Sequence, residues 1–268
     1  MIMYDPNLRL EIDPQLLMDE FEWYLNASGK CSLIQNRNKI VQCFQQDVYY
    51  KKEKELWLVP SVRNNLINNR CKYLKKSEDE LTTFDLLTGF KRSGIYYGYS
   101  GFNPLLCKWF YDRYHIKTSY DPCGGWGHRL LGSLDLDLYI YNDISTQAYK
   151  GVNDIIDYFE IPNTTTYNRD CRNFIPDEDF ECVFTCPPYY NQEVYETGPF
   201  RDETEYNALL DSIFKIWETK SCRILGIVNQ DRWMTNYVNF TEKILLPKNS
   251  SHHLGGKSSD EYLYIYTR

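Results

Sequence analysis

Seven residues constrain this chain more than any others: Asp121-Pro122-Cys123-Gly124-Gly125-Trp126-Gly127. Before them, Lys117-Thr118-Ser119-Tyr120 reads as a short strand. After them, His128-Arg129-Leu130-Leu131-Gly132-Ser133-Leu134 is an apolar run that can open a helix. A strand, a glycine-rich turn and a helix make a unit in which the backbone comes close to a ligand and a helix end offers free amide donors. The glycines do not fit the spacing G-x-G-x-x-G, so this turn is not the dinucleotide fingerprint.

A second stretch is as unusual. The apolar strand Cys182-Val183-Phe184-Thr185 runs straight into Cys186-Pro187-Pro188-Tyr189-Tyr190. Two prolines fix φ twice and hold the preceding residue extended, which gives a rigid loop. Its carbonyls and aromatic ring then point in set directions.

Together the two stretches resemble the S-adenosylmethionine-dependent methyltransferases that modify exocyclic amines of DNA bases, the N6-adenine and N4-cytosine family. The wording Asp-Pro-Cys-Gly-Gly-Trp-Gly-His-Arg-Leu-Leu-Gly looks most like phage-type members. The resemblance covers about 95 to 268. It implies that Asp121, Pro122, Cys123, Gly124, Gly125 and Gly127 cradle S-adenosylmethionine. It also implies that Cys186-Pro187-Pro188-Tyr189 is the catalytic loop. Family members carry Asp, Asn or Ser where this chain has Cys186. A thiol is a weak acceptor, so polarisation of the amine would lean on the Pro187 carbonyl.

Composition bounds the rest. At 268 residues and 43% apolar, the chain suits one large domain or a catalytic domain with a small partner. No apolar run approaches the ~18 residues of a membrane helix. The start, Met1-Ile2-Met3-Tyr4-Asp5-Pro6, lacks the features of a signal peptide. Nine scattered cysteines without Cys-x-x-Cys pairs suggest reduced thiols and no metal site. The expected location is the cytoplasm, or the host's if the protein is viral. Net charge is -7, but Lys30 to Lys76 holds 11 Lys and Arg against 3 Asp and Glu, leaving 19 against 34 elsewhere. A basic segment on an acidic body points to a polyanion, with DNA favoured by the resemblance.

Taken in order, Asp13-Pro14 starts a helix and Ser28-Gly29 stops it. Val48-Tyr49-Tyr50 and Leu56-Trp57-Leu58-Val59 look like strands around a charged turn. Val62 to Leu74, with the Lys75-Lys76 that follows, carries Arg63, Arg70, Lys72 and several asparagines, which suit phosphates and base edges. Ser77-x-x-Glu80 is a capping box for a short helix that Gly89 ends. An aromatic loop from Tyr96 to Phe102 precedes a helix at Asn103-Pro104, and Phe102 is either a wall of the cofactor pocket or a core aromatic. Strand Leu138–Tyr141 ends at Asn142-Asp143, where Asp143 can hold ribose hydroxyls or cap the helix that follows. After strand Thr164–Tyr167, Asp170 stands where the family has a group near the adenine amine.

Asn191 to Arg201 is a long loop, Asp202-x-x-Glu205 caps a helix, and Arg223–Val228, Ile244–Leu246 and Tyr262–Tyr266 are the last strands. Residues 252 to 257 between the final two read as a flexible turn. The expected fold is α/β: a Rossmann-like class I methyltransferase with a mostly parallel seven-stranded sheet, helices on both faces, and an N-terminal basic extension. Residues 1–90 would form the recognition region and 91–268 the catalytic domain. The implied activity is methyl transfer to the amine of a flipped base, cytosine N4 or adenine N6, on which Tyr189 stacks. Alternatives are an RNA or protein-amide methyltransferase, or an inactive DNA-binding module. Against the last, a dead copy would have no need of Gly124, Gly125 and Gly127.

Overall fold

Alternation along the strands sets the layers. Tyr139, Tyr141, Cys182, Phe184, Ile224, Val228, Leu263 and Ile265 pack to one face of a sheet. Their neighbours Tyr120, Ile140, Val183, Leu225, Ile227, Tyr264 and Tyr266 pack to the other. Successive side chains of a strand point to opposite faces, and both faces are covered. The computed structural model describes residues 12–27, 39–46, 51–92, 101–190, 200–220, 222–247 and 260–268. The expected strand at 48–50, the aromatic loop up to 100, the loop at 191–199, the turn at 252–257 and the helix stop at 28–29 lie outside them, as does part of the basic segment.

The strands are β1 (Thr118–Asp121), β2 (Leu138–Asn142), β3 (Thr164–Tyr167), β4 (Cys182–Thr185), β5 (Ile224–Gln230), β6 (Glu242–Leu245) and β7 (Glu261–Thr267). They form one sheet in the order β3-β2-β1-β4-β5-β7-β6. β1 to β5 run parallel; β7 enters antiparallel between β5 and β6. The order reverses at β1, between β2 and β4. In open parallel sheets, ligands bind outside the carboxyl ends of the strands at such a switch point.

The helices are α1 (Pro14–Asn26), α2 (Lys39–Phe44), α3 (Lys51–Trp57), α4 (Pro60–Leu74), α5 (Thr83–Arg92), α6 (Pro104–Tyr114), α7 (His128–Leu131), α8 (Thr146–Phe159) and α9 (Glu203–Thr219) among the described residues. α6 and α8 cover the first face and α9 the second. α1 and α2 join the first layer: Phe21 stacks on Phe159 at 4.4 Å, and Lys108 Nζ donates to the Tyr24 carbonyl at 3.0 Å. Gln45 Nε2 donates to the carbonyls of Trp126 and Ala148. Residues 51–92 build a smaller core of Trp57, Leu66, Ile67, Leu81, Leu86 and Phe90.

Two local expectations fail. Residues 56 and 57 are the end of α3, not a strand, because Lys-Lys-Glu-Lys-Glu-Leu are good helix formers and Trp57 finds Phe90 at 6.4 Å. The Ser77–Glu80 box closes a single 3-10 turn, and α5 starts later, at a second box in which Asp85 N donates to Thr82 Oγ1 and Thr82 N to Asp85. Gly89 does not end that helix. It is buried within it because Leu66 and Arg70 of α4 occupy the space a Cβ would need.

Candidate active site

β1 and β4 are neighbours, with Ser119 opposite Cys182 and Tyr120 opposite Val183. The turn after β1 and the loop after β4 therefore leave the same edge side by side. One contact joins them: Thr185 Oγ1 donates to Asp121 Oδ1 at 2.8 Å. Two strand ends 64 positions apart are thus tied at one edge of the sheet.

Asp121 is fully buried at the centre of this edge. Its carboxylate also accepts from Arg129 Nε at 2.6 Å, Tyr139 Oη at 2.9 Å and Cys123 N at 3.3 Å. Arg129 in turn donates to the Cys123 carbonyl. Burial lowers the Arg129 pKa, but Asp121 overrides it and holds the guanidinium charged. The carboxylate at the head of the turn is thus engaged by the protein itself. Its geometric effect is to tie the turn to β2 and β4.

The glycines divide by cause. Gly125 and Gly127 have φ of 62° and 100°, the left-handed region that side chains disfavour. Gly124 is needed because the Tyr141 ring lies where a Cβ would go. Tyr141 Oη donates to the Gly125 carbonyl at 2.8 Å. Backbone conformation at Gly125 and Gly127 and packing at Gly124 therefore account for these glycines, and their presence does not separate an active enzyme from a silent copy. The expected helix after them is only the single turn α7; Gly132 ends it against the Pro104 carbonyl.

Asp143 lies beside the turn, 6% exposed. Its Oδ2 accepts from Gly125 N at 2.7 Å and its Oδ1 from Ser145 N at 2.8 Å. The helix cap belongs to Ser145, whose hydroxyl accepts from Ala148 N. Burial raises the Asp143 pKa to about 6 against the pull of those two amides. Each carboxylate oxygen has lone pairs for a further donor. Phe102 stands edge-on to Phe184 at 6.2 Å, with the Arg129 guanidinium 5.1 Å from its ring centre. It is partly buried and packs on the core of the first face. Asp170 follows β3 at the same edge, but Arg172 grips it with Nε, Nη2 and its backbone amide. Burial raises the Asp170 pKa and these bonds outweigh it, leaving it lowered.

In the β4 loop Pro187 is buried, while Cys186, Pro188 and Tyr189 are partly exposed. Cys186 Sγ donates to Tyr189 Oη at 3.7 Å, folding the loop on itself. Tyr190 points away into an aromatic cluster, 5.0 Å from Trp233. A cavity lined by Lys108, Tyr111, His115, Lys117 and Asp135 lies at the opposite end of β1 and takes no part.

Sequence reasoning missed Asn142. Fully buried, it donates to the carbonyls of Pro122 and Arg169, accepts from Arg169 N, and its own carbonyl accepts from Gly124 N. One side chain staples the loops after β1 and β3. The missed Arg129 was signalled by a charge at the start of an apolar run, and Asn142 by a polar residue closing a buried strand. His128 is also buried here, with Nε2 unpaired among the described residues. Burial, then Arg129, lowers its pKa to about 3, so it is neutral.

The sheet order with its antiparallel seventh strand, and the joined loops at the switch point, define the fold as that of class I methyltransferases. No family model and no curated protein matches the sequence. Among solved structures, a candidate RNA methyltransferase from Pyrococcus horikoshii is similar over 62% of this chain and 82% of its own, at 12% identity and a TM-score of 0.44. A candidate methyltransferase from Streptococcus mutans in complex with SAH covers 56% and 86%, at 14% identity and 0.41. An rRNA methylase from Streptococcus thermophilus covers 57% and 88%, at 15% and 0.41. Likeness at this level says nothing about substrate. No helix among the described residues is long and apolar enough to cross a membrane, and no cluster of three His, Cys, Asp or Glu among them could hold a metal.

Proposed function

We propose that this protein binds S-adenosylmethionine at the β1–β2 edge and transfers its methyl group to an exocyclic amine of a DNA base at the β4 loop. The observation that carries the reading is the Thr185–Asp121 hydrogen bond, which makes the glycine turn and the Pro-Pro-Tyr loop parts of one surface. Methyl transfer needs donor and acceptor in line at contact distance, and two loops fixed to each other supply that alignment.

The residues at this edge fit the cofactor. Asp143 accepts one amide at each oxygen, keeps lone pairs for further donors and suits a vicinal diol. Phe102 offers an apolar wall, and Gly125, where a Cβ would meet nothing nearer than 3.7 Å, a close approach to the backbone. Asp121 acts by positioning, since its oxygens are already engaged. Bound there, the cofactor supplies a methyl group on a positively charged sulfur.

The rest falls to the loop. A base amine is a poor nucleophile because its lone pair is delocalised into the ring. The Pro187 carbonyl and Cys186 Sγ would accept its two N–H bonds and draw the nitrogen towards tetrahedral geometry. On receiving the methyl group the amine would give up one proton, which would pass to solvent beside the partly exposed Cys186. Tyr189 would leave its contact with Cys186 and stack on the base.

The test incubates protein, methyl-labelled cofactor and mixed-sequence DNA or RNA, then identifies the modified nucleoside by mass. Label on adenine N6 or cytosine N4 of DNA is expected. Label on RNA alone would move the substrate, and label on neither would end the nucleic-acid reading.

A further inference from the structure

We propose that the exposed face of α4 reads base edges in the major groove of duplex DNA. The inference rests on the nucleic-acid reading above and adds the surface and the kind of duplex.

α4 is two-sided. Leu66, Ile67 and Arg70 are buried against Trp57, Leu86 and Phe90. Asn64, Asn65, Asn68, Asn69 and Lys72 are exposed on the opposite side. Spacings of three, four and seven place them in one stripe. None of the four amides is engaged among the described residues. Asparagine is a poor helix former, and a solvent-facing stripe built for stability alone would favour Ala, Lys or Glu. Four asparagines there indicate a face chosen for what it can bind.

Charge agrees. From Pro60 to Leu74 there are Arg63, Arg70 and Lys72 and no acid, in a chain of net charge -7. A carboxamide pairs with adenine through N6 and N7 in the major groove, and a helix ~10–12 Å across fits a groove about 12 Å wide. The A-form groove of duplex RNA is too narrow and deep to admit it. Asn64 to Asn69 advances about 7.5 Å along the helix, roughly two base steps. Glu78, Asp79 and Glu80 lie exposed just past the carboxyl end of α4, so phosphates would be met at the other end and by Lys72. The unit is not a loose tether: Leu86 and Phe90 of α5 enter its core while Leu87 enters the core of the sheet layer.

The experiment selects binders from a duplex DNA pool with a randomised segment, using the full chain without cofactor. It then compares binding of the selected DNA with an RNA duplex of the same sequence. The wild type should enrich an adenine-containing motif and bind the RNA duplex at least about tenfold more weakly. Asn64→Ala, Asn65→Ala, Asn68→Ala and Asn69→Ala together should leave the melting temperature equal or higher, since alanine is the better helix former, while base preference falls about tenfold or more. A variant that enriches the same motif, a wild type that enriches none, or equal affinity for the RNA duplex would overturn the proposal. The enzyme reading fails separately: base selection that needs the asparagines, with no methyl label on DNA, would leave this surface standing and remove the catalysis.

Discussion

At the scale of single residues, the carboxyl edge depends on one buried pair. Asp121→Asn leaves the Arg129 guanidinium buried without its counter-charge, and should cost about 3–5 kcal/mol in urea unfolding. Asp143 has the opposite effect on stability. Its folded pKa of about 6 lies above the ordinary 3.8, so the folded state holds the proton more tightly than the unfolded chain. That carboxyl therefore favours the unfolded state progressively as pH rises from about 4 to 6, by about 3 kcal/mol in all. Asp143→Asn has no such titration, so its stability relative to wild type should improve across that window and level off above it, read from unfolding midpoints at each pH. Tyr189→Ala should lower turnover about 10- to 100-fold, the worth of one stacked base, while calorimetry with S-adenosylmethionine changes little. Loss of both would make the loop a scaffold for the cofactor turn. The two loops were legible in the sequence because glycine and proline act on the backbone alone. The partners of Asp121 were not, since Arg129, Tyr139 and Thr185 come from three elements that only the folded sheet brings together.

At the scale of elements, a glycine on α8 sets how closely α2 approaches. The Gln45 side chain occupies the space of a Gly151 Cβ while bonding the Trp126 and Ala148 carbonyls. Gly151→Ala should destabilise by about 1–3 kcal/mol through that clash. In a Gln45→Ala background the same change should turn stabilising, by up to about 1 kcal/mol, because alanine outranks glycine in a helix. A double-mutant cycle measures the reversal; purely additive effects would mean the contact is not formed. Elements with strong local punctuation were readable: Asp13-Pro14, Asn103-Pro104 and Asp202 all cap helices as the sequence implies. α3 was misread because Leu-Trp-Leu-Val is an apolar run too short for its period to show, and only packing on Phe90 decides it. Ser77–Glu80 and Thr82–Asp85 both form capping boxes five residues apart, and the local pattern does not distinguish which of them opens the longer helix.

At the scale of the whole molecule, the alternation of strand and helix from 117 to 230 predicts a parallel sheet, and five adjacent parallel strands are found. Which strands become neighbours is not written in any local pattern; it follows from crossovers that turn one way and from the return of the chain to β1. The placement of β7 has its own result. All seven residues of β5 pair with it, from Ile224 opposite Thr267 to Gln230 opposite Glu261, and β6 pairs with no other strand among the described residues. While the polypeptide emerges from a ribosome, β5 therefore presents an apolar rim of open amides and carbonyls until its last partner arrives. A version cut short after Pro247 should precipitate rather than simply lose activity, with the soluble fraction on expression as the measure. Closure of this sheet thus waits until β7 has been made, and any nascent chain stalled before β7 is a target for chaperones.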